Sequence, residues 1–333
     1  MSIRVAINGY GRIGRATLRA LYESGRTAEI QVVAINDPHP LETSVHLTQF
    51  DSTHGRFGQT ISTRDGQVLV GDDPIHYSQE NNPTKLPWDR LAIDVVLECT
   101  GRFTKRSDAA AHIQAGARKV IISAPAEGEI DLTCVHGIND SLLQSTHTVI
   151  SNASCTTNCL AHIIKPLNDV IGIEYGLIST VHAYTNDQVL IDAHHNDLRR
   201  ARSATQSIIP TSTGATRALE RVLPEIAGKF DGVSLRVPTI NVSLVDLSFT
   251  TPRSTSVEEI NTIMHKAADG RLLNYCDKPL VSIDYNHSSA SANFDSTLTK
   301  VKGNLVRIYA WYDNEWGYAN RLLDTTQTLI NAH

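Results

Sequence analysis

Among the five cysteines of this 333-residue chain, Cys155 stands apart by the company it keeps. Ser151-Asn152-Ala153-Ser154-Cys155-Thr156-Thr157-Asn158-Cys159 follows an apolar strand pattern, Thr148 to Ile150, and precedes the helical spacing of Leu160, Ile163, Ile164 and Leu167. This order sets Cys155 at a helix N-terminus, where unpaired N–H groups and the helix dipole stabilise a thiolate and any oxyanion formed beside it. Cys99, Cys134 and Cys276 lie on apolar stretches and read as buried structural thiols. Cys155, Cys159 and His162 fall at i, i+4 and i+7 on one helix face, but three ligands on one helix with no second pair elsewhere match zinc spacing poorly. No metal site is therefore expected, and Cys159 reads as a core residue one turn below Cys155.

A base within reach of a thiol would complete a nucleophilic pair. Ser179-Thr180-Val181-His182-Ala183 reads as a strand ending in a histidine, although the chain holds 14 histidines and spacing alone does not pair His182 with Cys155. Two basic features read as anion clamps: Asp197-Leu198-Arg199-Arg200-Ala201-Arg202, which also suits a solvated face, and Arg236, whose place inside an apolar strand calls for an anionic partner. Thr211-Ser212-Thr213-Gly214 precedes a helix from Ala215 and offers hydroxyl and N–H groups to a phosphate, or simply caps that helix.

Near the N-terminus, Asn8-Gly9-Tyr10-Gly11-Arg12-Ile13-Gly14 sets a G-x-G-x-x-G pattern between a strand and a helix. Gly9 allows the tight turn, Gly11 lets a pyrophosphate approach the backbone, and Gly14 lets helix and strand pack closely. A second strand ends at Asp37, 23 residues beyond Gly14. A carboxylate there accepts hydrogen bonds from an adenosine ribose and repels a 2′-phosphate, which favours NAD over NADP.

These groups need elements to hold them. The first half alternates β-branched runs (Ile3 to Asn8, Val32 to Asn36, Ile93 to Leu97, Val120 to Ser123) with helical patterns (Ile13 to Ser24, and Ser107 to Ala115 with Ser107 as N-cap), the signature of βαβ units around a parallel sheet. From about residue 151 the pattern shifts to longer alternating strands, Gly232 to Pro238, Asn241 to Phe249 and Asn304 to Tyr312, read as mostly antiparallel. Ser256 with Glu259 forms a capping-box signal, and Tyr318 to Ile330 reads as a closing helix. The length suits two domains with a cleft between them. Net charge is −5, lacking the basic excess that nucleic-acid binding draws on, so no nucleic-acid partner is expected. The start at Met1 shows no signal-peptide layout and no apolar run approaches the length of a membrane span; a cytoplasmic chain with free thiols and no membrane partner is expected.

Taken together, Ala6 to Arg15, Ser151 to Cys159, Thr185-Asn186-Asp187-Gln188, Thr211 to Gly214 and Trp311 to Tyr318 resemble the phosphorylating glyceraldehyde-3-phosphate dehydrogenases along essentially the whole chain. The resemblance implies an α/β fold with a Rossmann-type parallel-sheet domain, residues 1–150, joined by a C-terminal helix, residues 318–333. An α+β catalytic domain, residues 151–317, carries a largely antiparallel mixed sheet. It further implies oxidation of D-glyceraldehyde 3-phosphate with inorganic phosphate and NAD by a homotetramer. Cys155 would be the nucleophile and His182 the base. Thr185, Asp187 and Arg236 would take the substrate phosphate, and Ser154, Thr156, Thr213 and Gly214, with Arg200 close by, the attacking phosphate. Gly9, Gly11, Arg12, Ile13, Gly14, Asp37, Ser123, Asn314 and Tyr318 would hold the cofactor.

Three departures stand out. Ala193-His194 precedes His195 where relatives usually have Leu-Pro, in a region that helps exclude NADP, so NADP use stays open. Asn81 stands where an arginine is frequent, and His162 where proline is common. The sister family, the erythrose-4-phosphate dehydrogenases, shares the cysteine and histidine and resembles Asp192-Ala193-His194-His195, but it typically lacks Thr-Asn-Asp after the histidine and Thr-Gly at the second phosphate site. Thr185-Asn186-Asp187 and Thr213-Gly214 favour the triose enzyme. A non-catalytic nucleotide-binding redox sensor on the same fold is the reading from another class.

Overall fold

A computed structural model describes residues 2–333, and the chain divides into two compact units: one runs to Ser154 and includes Ala319–His333, the other is Cys155–Tyr318. The first unit holds β1 (Ile3–Asn8), α1 (Arg12–Glu23), β2 (Ile30–Asn36), α2 (Leu41–Gln49) and the two-residue strands β3 (Phe50–Asp51) and β4 (Gly55–Arg56). It continues through β5 (Ile61–Arg64), β6 (Gln67–Val70), β7 (Asp73–Ser78), β8 (Val95–Glu98), α3 (Arg106–Ala109), α4 (Ala111–Gln114), β9 (Lys119–Ile122), β10 (Leu132–Thr133) and β11 (Val149–Ser151).

Nine of these strands form one sheet in the order β10-β11-β9-β8-β1-β2-β7-β6-β5. From β10 through β7 every neighbouring pair is parallel, as the alternation predicts. Strands β8 and β9 are buried along their whole length, the habit of a sheet covered on both faces. The strand order turns back on itself at β1, between β2 and β8, the position where such sheets leave an open crevice at the strand ends. Two features differ from expectation. Strands β5, β6 and β7 form an antiparallel meander, nucleated by Asp65-Gly66, both with positive φ (52° and 74°), the two-residue turn whose twist matches a hairpin. The helix anticipated over 107–115 is two short ones, preceded by Lys105 and not by Ser107.

The second unit holds α5 (Cys155–Ile171), β12 (Gly176–Ala183), β13 (Ile209–Ser212), α6 (Ala215–Val222), β14 (Phe230–Val237), β15 (Ser243–Thr250) and α7 (Val257–Ala267), then β16 (Leu273–Cys276), β17 (Ala292–Lys302) and β18 (Leu305–Tyr312). Its sheet runs β13-β14-β12-β15-β18-β17-β16. Most neighbours are antiparallel, but β12 pairs with β14, and β16 with β17, in parallel. Burial alternates residue by residue along β15, as it must when one face of a sheet packs on helices. Cys159, Leu160, Ile163, Ile164 and Leu167 of α5 are wholly buried. Ser256 caps α7 by accepting from the Glu259 N–H at 3.2 Å, while the Glu259 carboxylate turns to Arg253 and Thr255, so only half of the capping box forms.

The closing helix, α8 (Trp316–Ile330), begins in the second unit, and its later turns belong to the first. There Asp324 pairs with Arg26 at 2.7 Å and Thr325 donates to Asn152 at 2.7 Å. Among the described residues no helix is long and apolar enough to cross a membrane.

Candidate active site

In the first unit the glycine turn is shaped by close approach. A Cβ on Gly9, whose φ is +89°, would lie 2.5 Å from the Thr100 backbone nitrogen, and one on Gly14 would lie 2.4 Å from the Gly9 carbonyl. Neither position has room for a side chain, so β1, α1 and the segment after β8 meet backbone to backbone. Gly11, the residue before α1, faces open space and offers the helix no side-chain cap. The first-turn N–H groups, those of Arg12 and Ile13 included, thus present their partial positive charge to an anion. The Arg12 guanidinium is committed elsewhere, to Asp51. Burial works to raise the Asp51 carboxyl, and Arg12 with the N–H groups of His54 and Thr53 overcomes it, holding the group at about 2.

Asp37 follows β2 and lines the same crevice as Asn8, Gly9, Gly11 and Thr100. Its Oδ2 accepts from the Tyr10 N–H at 2.7 Å, and its Oδ1 accepts from the His39 N–H at 3.0 Å and meets His39 Nδ1 at 2.6 Å, which fixes its direction while leaving one lone-pair position, on Oδ2, for a ligand. Ser123 sits just past β9, its N–H on the Glu98 carbonyl at 2.9 Å. A bare helix N-terminus, space above Gly11 and a carboxylate at the end of the neighbouring strand are the set that a dinucleotide requires.

In the second unit α5 begins at Cys155 itself, after Ala153 with a left-handed φ of 56°. The Cys155 Sγ lies 3.6 Å from His182 Nε2, which the end of β12 delivers. Parallel pairing of β12 with β14 sets Arg236 directly beside His182 in register. The Ala183 carbonyl lies 2.6 Å from His182 Nδ1 and accepts from Arg236 Nη1 at 3.2 Å. Arg236 Nη1 also lies 3.0 Å from Nδ1, and because a guanidinium only donates while a carbonyl only accepts, the two contacts favour opposite tautomers; the shorter one, to the carbonyl, places the ring proton on Nδ1 and turns the Nε2 lone pair toward the thiol. Burial first and the neighbouring Arg236 second, against the pull of the Ala183 carbonyl, together hold the His182 pKa down at about 3. Burial also pushes the Cys155 thiol up, while Arg236, the Thr156 hydroxyl and the N–H groups of Thr156 and Cys155 draw it back. The resting pair is a neutral thiol facing a neutral imidazole, aligned for proton transfer.

Arg236 was expected to carry an anionic partner, yet among the described residues it forms no ion pair, and its buried Nε has no hydrogen-bond partner. Arg200 is the opposite case. It pairs with Asp187 and donates from Nε to Thr211 Oγ1 at 2.8 Å. Thr213 Oγ1 accepts from the Ala215 N–H at 3.2 Å just ahead of α6, whose cap residue is Gly214 with no side-chain cap, and the Thr185 N–H meets Gln188 Oε1 at 3.4 Å. Ser154 closes the first unit, next in sequence to Cys155.

Two groups escaped the sequence reading. Tyr312, fully buried at the end of β18, shares a hydrogen bond of 2.8 Å with Thr156 Oγ1 and sets its ring edge-on to His182. Ser243 accepts from the Ala183 N–H at 3.1 Å and donates to Asn314 Oδ1 at 2.9 Å, tying Asn314 to the end of the His182 strand. Both look like ordinary strand residues in sequence, with no signal in type or spacing. Tyr318 lies buried in the first turn of α8. Of the three cysteines read as buried, Cys134 is, whereas Cys99 and Cys276 are partly exposed.

Comparison with known proteins identifies the family. The family model described as glyceraldehyde 3-phosphate dehydrogenase, NAD binding domain, matches residues 3–106, and the corresponding C-terminal domain matches 154–314. A chromosomally encoded glyceraldehyde-3-phosphate dehydrogenase of Cupriavidus necator is 56% identical over the full length of both chains. Proteins of that name from Xanthobacter flavus (55%, spanning 98% of each chain) and Pseudomonas aeruginosa (53%, spanning 100% of this chain and 99% of the relative) are similar to the same degree. The chain belongs to the glyceraldehyde-3-phosphate dehydrogenase family.

Proposed function

We propose that the chain oxidises D-glyceraldehyde 3-phosphate to 1,3-bisphosphoglycerate with inorganic phosphate, through a thioester on Cys155. The observation that carries this reading is Arg236, a largely buried guanidinium without a carboxylate partner, set between the Cys155–His182 pair and the strand that bears Thr211. A desolvated cation in that place calls for an anionic ligand, and a phosphorylated aldehyde supplies one while bringing its carbonyl to the thiol.

Cys155 Sγ adds to the aldehyde carbon as its proton passes to His182 Nε2, and the resulting oxyanion is held by the N-terminal N–H groups of α5 and by the protonated ring. His182 returns that proton to form the hemiacetal hydroxyl, then takes the hydroxyl proton as the C–H bond breaks. NAD, held at the Gly9–Gly14 turn and Asp37, supplies the hydride acceptor when bound. Inorganic phosphate then attacks the thioester carbonyl and the Cys155 thiolate leaves, its charge eased by the same helix terminus.

Arg236 and Thr185 bind the substrate phosphate. Ser154, Thr156, Thr213, Gly214 and Arg200 receive the attacking one. Asp187, a carboxylate, repels a phosphate, so its part is to hold Arg200 in place, the pairing seen in the structure. Asn314, steadied by Ser243, and Tyr318 serve the nicotinamide side. The chain works as a homotetramer in the cytoplasm: Leu190, Ile191, Leu198 and Ile208 are exposed in one segment of the second unit, an apolar surface suited to another copy, and five free thiols suit a reducing compartment.

Initial rates of NADH formation with glyceraldehyde 3-phosphate and erythrose 4-phosphate, each with and without inorganic phosphate and with NADP in parallel, test the reading. Strong phosphate-dependent turnover of the triose is expected. Arg236→Leu should lower kcat/KM for the phosphorylated aldehyde relative to unphosphorylated glyceraldehyde by about 100-fold. Preference for the tetrose with little phosphate dependence would overturn it.

A further inference from the structure

Beneath the glycine turn of the first unit lies a chain of buried polar side chains that no step above uses. Glu98, the last residue of β8, is 1% exposed, and His112 and Trp88 are not exposed at all. Trp88 Nε1 lies 3.0 Å from His112 Nδ1. An indole N–H only donates, so His112 Nδ1 must accept and the ring proton sits on Nε2. That N–H points at Glu98 Oε2, 3.0 Å away. The same oxygen accepts from Asn8 Nδ2 at 2.6 Å, and Oε1 accepts from the backbone N–H of Thr100 at 2.8 Å and from the Thr100 hydroxyl. As a carboxylate, Glu98 thus meets four donors with four lone-pair sites, a fully satisfied network of the kind that fixes one arrangement.

Its outer ends reach the dinucleotide crevice. Asn8 and Thr100 line it; Asn8 Oδ1 accepts from Asn36 Nδ2 at 2.7 Å, and Thr100 Oγ1 accepts from the Arg102 N–H at 3.0 Å. The Thr100 nitrogen held by Glu98 is also the atom against which Gly9 packs without room for a Cβ. Moving that nitrogen moves the turn.

We infer that Glu98 is a positioning residue for dinucleotide binding, and that the Nε2 proton of His112, kept there by Trp88, holds its carboxylate in the setting that aligns Asn8, Thr100 and the Gly9 turn. The inference rests on the reading of this crevice as the NAD site. It assigns to His112 a direction as well as a volume: donation toward Glu98 controls cofactor affinity, while the bond to Trp88 serves only to choose the tautomer.

Two substitutions separate these roles. In His112→Gln the amide nitrogen falls near the place of Nε2 and keeps the donation to Glu98, losing the Trp88 bond. In His112→Asn the amide lies near Nδ1, which keeps an acceptor for Trp88 and loses the donor to Glu98. NAD is titrated calorimetrically into wild type, both variants and Glu98→Gln, which turns an amide N–H against the surrounding donors. Thermal midpoints without NAD and the rate of iodoacetamide alkylation at Cys155 are measured on the same samples.

The expected result is NAD binding weakened about tenfold or more in His112→Asn and Glu98→Gln, affinity within about twofold of wild type in His112→Gln, and equal alkylation rates throughout. In steady state the weakened variants should raise KM for NAD and keep kcat. Equal losses in both His112 variants, a loss confined to His112→Gln, or wild-type affinity in a folded His112→Asn would overturn the inference. If Glu98→Gln does not fold, the His112 pair decides alone. A wild-type chain that fails to bind NAD would remove the cofactor reading itself, and the inference with it.

Discussion

The two units build their reactive surfaces by opposite means. In the first, a single run from Asn8 to Gly14 makes the turn, and what it presents is backbone: N–H groups of α1 and space above Gly11. In the second, the side chains come from segments far apart in sequence, Cys155 from α5, His182 from β12, Arg236 from β14 and Tyr312 from β18. Their meeting depends on sheet register, above all on the parallel pairing of β12 with β14 within a mostly antiparallel sheet. A backbone site tolerates changes of side chain wherever a Cβ fits and fails where none does. A register site fails residue by residue, each loss measured by that group's own chemistry.

The largest effect should come from the second unit. Cys155→Ser is expected to cut phosphate-dependent NADH formation by roughly 10⁴-fold or more with NAD affinity kept, as read by initial rates and calorimetry. Next, His182→Asn should slow acylation by roughly 10²- to 10⁴-fold in single-turnover experiments, again with cofactor binding intact. Retained acylation would remove His182 as the base.

In the first unit the sharp test is Gly9→Ala. With φ at +89° and the Thr100 nitrogen in the way, this one methyl should cost about 1–3 kcal/mol in urea unfolding and weaken NAD binding, while iodoacetamide still alkylates Cys155 at the wild-type rate. Stability and affinity left unchanged would break the contrast between the two surfaces.

A smaller effect is set by pH. His182 titrates near 6.5 when unfolded and at about 3 when folded. The depressed value means its contribution to stability is complete above pH 6.5 and is lost as pH falls toward 3, because only the unfolded chain takes up the proton in that window. His182→Gln should flatten the urea midpoint against pH there by up to about 1.36 kcal/mol per pH unit. The smallest change is expected from Ser243→Ala, which loosens Asn314: a few-fold rise in KM for NAD, corresponding to about 1 kcal/mol, with little change in acylation.

What could be read from sequence follows the same divide. The glycine turn, the helix starting at Cys155 and the strand ending at His182 were legible because each is a local pattern, a spacing or a change of period within a few residues. The Cys155–His182 pairing comes from the family resemblance and not from spacing, since 27 residues separate them and only the packing of α5 near the end of β12 closes the gap. Arg236 could be singled out as a cation in an apolar strand, but its neighbour could not, because nothing in an alternating strand tells parallel from antiparallel pairing. The meander of β5 to β7 carries its own local signal in Asp65-Gly66, the strongest short hairpin pattern, but it is set within a βαβ rhythm that points to parallel strands. Glu98, His112 and Trp88 gave no signal, since their meaning lies in donors and acceptors that meet only in the core.

The most direct measurement is the mass of the peptide containing Cys155 after the chain is mixed with glyceraldehyde 3-phosphate and NAD, without inorganic phosphate, and quenched in acid. The expected result is a phosphoglyceroyl adduct on Cys155 that forms in step with one equivalent of NADH and disappears when phosphate is added. NADH formed with Cys155 unmodified, or an adduct on another cysteine, would contradict the thioester route and the role given to the α5 terminus.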